Sequence, residues 1–111
     1  MPGISIHVVD VSRGVVASGM KIELYGPARR PLASGVTNAK GILEVDSTVP
    51  AGAYEALFHV ASWYRDQGVP LPRVPFLDEV RYAFGISEPS QHYHLPFKCT
   101  PWGYSCFRGG A

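Results

Sequence analysis

The stretch Gln91-His92-Tyr93-His94-Leu95-Pro96-Phe97-Lys98-Cys99-Thr100 alternates strictly: Tyr93, Leu95, Phe97 and Cys99 are apolar, and His92, His94, Pro96 and Lys98 lie between them. A period of two is the mark of a strand with one face in a core and the other turned outward. The inner face is packing; the outer face carries ionisable groups. Pro101-Trp102-Gly103 then reads as a turn, and Tyr104 to Arg108 returns as the next strand. Tyr104 and Cys106 share one of its faces, Ser105 and Phe107 the other.

The same pattern recurs upstream. Ile4 to Val11 places Ile6 and Val8 on one face and Ser5, His7 and Val9 on the other, and Arg13-Gly14 closes it. Met20 to Tyr25 sets Met20, Ile22 and Leu24 against Lys21, Glu23 and Tyr25. Leu32 to Val36 and Ile42 to Val45 flank Thr37-Asn38-Ala39-Lys40-Gly41, whose Asn38 and Gly41 suit a hairpin loop. Ala53 to Val60 is a strand rich in large apolar residues, followed by one short helix over Ala61 to Gln67 that Gly68 and Pro70 stop. Val69 to Pro75 carries three prolines and reads as an extended surface loop. Phe76 to Ile86 resumes as a strand with Val80, Tyr82, Phe84 and Ile86 on one face. Short strands at this spacing with one helix predict an all-β, antiparallel sandwich.

Composition sets the outer limits. The 111 residues fit a single domain, 1–111, with 46% hydrophobic and only 17% charged residues. So little charge beside 6 Tyr, 5 Phe and 2 Trp suggests that partner subunits cover part of the surface. Net charge is +1 and the longest basic run is Arg29-Arg30, which argues against nucleic acid as a partner. No stretch approaches the roughly 18 apolar residues that span a bilayer. The first ten residues lack the charged and apolar regions of an export signal, so a membrane is not expected and the cytoplasm is. The two cysteines, Cys99 and Cys106, are spaced neither as a disulfide scaffold nor as a zinc motif, which suits a reducing compartment.

Four segments carry a resemblance: IHVVDVSRG (6–14), TNAKG (37–41), HYHLP (92–96) and PWGYSCFRGG (101–110). Together they make the chain similar, from about Ile4 to Gly110, to the transthyretin-like family, whose enzymes are 5-hydroxyisourate hydrolases. The resemblance implies an eight-stranded, two-sheet sandwich with a short helix, assembled as a homotetramer. It also implies active sites that line a channel between dimers and use neither metal nor cofactor. The family site comprises a first-strand histidine, an arginine directly after the TNxDG turn, the second histidine of HYHxP and a terminal YRGS. The two histidines match His7 and His94. The arginine position is Ile42, and the tetrapeptide is Phe107-Arg108-Gly109-Gly110, so a guanidinium, a phenol and a serine hydroxyl are missing.

Opening a cyclic amide with water needs a base for the water's proton and donors for the oxyanion. Imidazole titrates near neutrality, so His7 and His94 suit proton abstraction and leaving-group protonation. Lys98 shares a strand face with His94, about 13 Å along at strand rise, and could stand in for the cation lost at Ile42; the plain alternative is a solvated edge lysine. Arg108 offers a fork of donors suited to a ureide carbonyl, and Phe107 keeps a ring face that can stack on a heterocycle. Ser105 is a channel hydrogen-bond donor or an ordinary surface serine. Cys99 and Cys106 read as core residues, not nucleophiles. His59 and His92 fall outside the site, and three histidines without a cysteine or carboxylate make a poor metal set. The expected function is hydrolysis of a cyclic amide in a purine-derived ureide or similar heterocycle. The rivals are a different ring-opening or cyclisation reaction on the same fold, and a non-catalytic ligand carrier.

Overall fold

The computed structural model describes residues 2–110. The strands are β1 (Gly3–Asp10), β2 (Val15–Val16), β3 (Lys21–Tyr25), β4 (Pro31–Val36), β5 (Ile42–Val45), β6 (Gly52–His59), β7 (Glu79–Ile86), β8 (His92–Thr100) and β9 (Gly103–Cys106). One α-helix, α1 (Val60–Asp66), lies between β6 and β7. One sheet runs β2-β1-β8-β9, with β5 also paired to β1; the other runs β4-β3-β6-β7. The fold is therefore the all-β sandwich with one short helix that the alternation implied.

The two inner faces supply the core. Ile4, Ile6 and Val8 of β1 and Tyr93, Leu95, Phe97 and Cys99 of β8 pack against Ile22 and Leu24 of β3 and Ala56 and Phe58 of β6. The rings of Phe58 and Phe97 stack across the sheets with centroids 3.8 Å apart. One end is closed by α1, which buries Trp63 and Tyr64. Trp63 donates its indole N–H to the Ser18 carbonyl at 2.7 Å, so its polar edge is satisfied as well as its rings.

Several expectations are corrected. The segment Thr37–Gly41 is not a hairpin loop: β4 pairs with β3 and β5 pairs with β1, so this turn carries the chain from one sheet to the other. Gly41 makes the crossing possible. Its φ is +78°, and a Cβ there would lie 2.7 Å from the Val8 carbonyl oxygen, which rules out ordinary side chains by both conformation and space. Nor is the sandwich wholly antiparallel, because β1 and β8 run parallel from Gly3 opposite His92 to Asp10 opposite Cys99. The described residues hold nine strands rather than eight, the extra one being the two-residue β2.

Two strand ends also moved. β7 begins at Glu79, and Phe76, expected within the strand, is 82% exposed. β9 ends at Cys106 instead of continuing to Arg108. The cause is local: Cys106 pairs with Phe97, so the next residue would face Pro96, whose nitrogen has no hydrogen to donate. The tail regains β8 two residues later, where the Gly109 N–H donates to the His94 carbonyl at 2.7 Å.

Candidate active site

Strand register builds the site on the outward face of the β5-β1-β8-β9 sheet. Ser5 stands between Glu44 of β5 and His94 of β8; one step along, His7 stands between Ile42 and Pro96; a further step on, Val9 pairs with Lys98, which pairs with Ser105. Alternation turns all of these away from the core, since Ile4, Ile6 and Val8 take the buried positions between them.

His94 is held on several sides. Its Nδ1 lies 2.6 Å from Ser5 Oγ, and the same oxygen lies 2.7 Å from His92 Nε2. The tail covers the ring from another side: a Cβ on Gly109 would approach His94 Cδ2 to 2.8 Å and Pro96 Cγ to 2.9 Å, so only glycine allows this contact. Partial burial pushes the His94 pKa down, and the neighbouring charges of His7 and His92 push it further, against a smaller opposing effect of Ser5. At neutral pH the imidazole is therefore uncharged and keeps a lone pair.

The remaining candidates are dispersed more than their sequence positions suggest. Lys98 places its ammonium 5.8 Å from the centre of the Phe107 ring, on the β9 side of β8. Ile42 is on β5, two strand spacings from β8, or about 10 Å between the two backbones. Arg108 is folded back over the start of β8. It donates to Gln91 Oε1 and to the His92 carbonyl, both at 3.1 Å, and its Cζ sits 4.0 Å from the centre of the Tyr93 ring. Ser105 is exposed beside Lys98, and Phe107 is 45% exposed.

Burial pushes the thiols of Cys99 and Cys106 up to about 11, so neither supplies a thiolate. His59 is in the other sheet, where Nε2 is 2.6 Å from Glu23 and Nδ1 is 3.4 Å from Glu79. His92, set aside from sequence, is in contact with the same hydroxyl as His94. Sequence reading also passed over Ser5 and Glu44. Ser5 shares a face with His7, which is legible in the alternation, but the register that brings it to His94 is not.

The comparisons fit this architecture. The HIUase/Transthyretin family model matches residues 4–109. A 5-hydroxyisourate hydrolase of Deinococcus radiodurans is 37% identical over 97% of this chain and 96% of its own length. One of Mesorhizobium japonicum is 40% identical over 96% and 90%. The solved structure of Klebsiella pneumoniae 5-hydroxyisourate hydrolase superposes with a TM-score of 0.84 at 32% identity, covering 99% of this chain and 100% of that one. Because the match takes in both sheets, the crossing turn and both histidine-bearing strands, this chain belongs to the HIUase/Transthyretin family.

Proposed function

We propose that the outward face around His7 and His94 catalyses hydrolytic opening of 5-hydroxyisourate or a closely similar cyclic ureide. The observation that carries this reading is His94: partly buried, neutral at working pH and on one sheet face with His7. His94 takes a proton from water as the oxygen attacks the ring carbonyl carbon. The C–N bond then breaks, and the leaving nitrogen receives a proton from His94, with His7 the second candidate donor. Phe107 offers a stacking face, and Lys98, Arg108 and Ser105 are the available donors for carbonyl oxygens on the β9 side. No cofactor is required by this chemistry.

Ile42 beside His7 favours a second reading, in which the same histidines open or close a different ring. The site works in a homotetramer in which a second copy faces this sheet. Two free cysteines suit the cytoplasm, and the substrate places the enzyme in purine metabolism.

Decay of 5-hydroxyisourate above its spontaneous rate tests the proposal. An oxyanion partner is commonly worth about 2.7–4 kcal/mol, so the wild type should be weak, roughly 10²- to 10³-fold below an enzyme with the arginine. Ile42→Arg with Phe107→Tyr should raise the rate. A wild-type rate equal to background and unchanged by the double replacement would favour the second reading.

A further inference from the structure

Ser5 Oγ is within hydrogen-bond distance of two imidazoles, 2.6 Å from His94 Nδ1 and 2.7 Å from His92 Nε2. A hydroxyl has one proton to donate. The same oxygen accepts up to two, so both rings can donate to Oγ, or one ring can donate while the other accepts the Ser5 O–H. Where Ser5 bridges the rings in the second way, the two histidines hold complementary tautomers, in one of two arrangements. In the first arrangement His94 donates from Nδ1, Ser5 donates to His92 Nε2, and the His94 Nε2 lone pair is free. In the second, His92 donates from Nε2, Ser5 donates to His94 Nδ1, and His94 Nε2 carries the proton.

We propose that Ser5 is a positioning residue that couples His94 to His92 as a proton relay, with His92 the temporary store of the proton taken from water. This inference rests on the reading of His94 as the base. Starting from the first arrangement, His94 Nε2 accepts the water proton. The Nδ1 proton passes to Ser5 Oγ as the Ser5 proton passes to His92 Nε2. His94 is then neutral with a proton on Nε2, and His92, which already carries one on Nδ1, is the imidazolium. Once the C–N bond breaks, the Nε2 proton of His94 goes to the leaving nitrogen and the relay runs backward, returning every group to its first state. One proton has moved from water to the leaving nitrogen.

The surroundings suit a transient store. The charged or titratable groups facing this trio are His7 on β1, Glu44 on β5 opposite Ser5, Lys98 further along β8, and Arg108 in the tail. Arg108 donates to the His92 carbonyl at 3.1 Å and so fastens the backbone that carries this ring. Gly109 packed on His94 keeps the ring from rotating out of the relay.

The test combines tautomers with kinetics. In ¹⁵N-histidine NMR near pH 8, wild-type His94 should carry its proton on Nδ1. Ser5→Ala should move it to Nε2, the form free imidazole prefers, and Ser5→Thr should restore Nδ1. With substrate, Ser5→Ala should lower kcat about ten- to a hundredfold with KM nearly unchanged, and Ser5→Thr should recover most of it. His92→Gln, which still accepts from Ser5 but cannot store a proton, should keep the His94 tautomer and lose kcat. An unchanged His94 tautomer in Ser5→Ala would overturn the coupling, and wild-type kcat in His92→Gln would overturn the relay. The tautomer readout needs no substrate, so it separates this inference from the choice of reaction.

Discussion

At the scale of single residues, the environment of His94 gives a pH dependence of definite sign. Partial burial and the charges of His7 and His92 place its pKa below the ordinary value of about 6.5. The neutral ring is the working form, so activity should be full at neutral pH and fall as pH drops through this lowered pKa. The acid limb of a kcat/KM profile should thus be centred below 6.5, and a limb centred above it would point to another base. Replacing His94 by Ala should cut kcat by about 10²- to 10⁴-fold. His59→Ala should leave kcat nearly unchanged, because His59 is bound by Glu23 and Glu79 in the other sheet.

At the scale of elements, the end of β1 is fastened by one buried carboxylate. Asp10 accepts from the Ser12 N–H at 3.0 Å and hydroxyl at 2.5 Å, from Arg13 Nε at 2.7 Å and from the Tyr64 hydroxyl at 2.7 Å, tying β1 to α1. Burial alone would raise its pKa, but the bonds from Ser12, Arg13 and Tyr64 together bring it below the usual value. A depressed carboxyl contributes stability that is present above the unfolded pKa of about 3.9 and lost as pH falls through the folded one. Urea unfolding should therefore show stability declining from about pH 4 downward. Asp10→Asn should be less stable at pH 7 by about 1.5–3 kcal/mol, the range for hydrogen bonds to a charged group, and flatter over the acid range. An equally steep acid decline in the variant would assign it to other carboxylates.

At the scale of the whole molecule, each sheet ends, among the described residues, on strands paired along one side only. β9 is one such edge, and Trp102, Tyr104 and Phe107 along it are 69%, 47% and 45% exposed. An open edge with large apolar side chains is a surface that pairs with another chain, and a second copy is the partner always available. Light scattering at micromolar concentration should report about four chains. A stable monomer would overturn the tetramer and the covered channel with it.

Whatever depends on neighbours two residues apart was legible in the sequence. The core faces of β1, β3 and β8, the outward placing of His7, His94 and Lys98, and the short helix all follow from alternation and from the Gly68-Pro70 stop. Registers between distant segments were not legible. Ser5 meets His94 across 89 positions of chain because β1 and β8 run parallel, and nothing local encodes that pairing or its direction. The turn at Thr37–Gly41 has the residues of a hairpin loop, yet its two strands enter different sheets, because burial of both apolar faces overrides the local preference. The tail shows the same division. The sequence supplies Phe107, Arg108 and Gly109, but only the folded sheet brings Pro96 opposite the growing strand, ends it at Cys106, lays Arg108 over Tyr93 and presses Gly109 against His94. Side-chain chemistry is written residue by residue, whereas its geometry comes from non-local packing that settles only when the whole core closes.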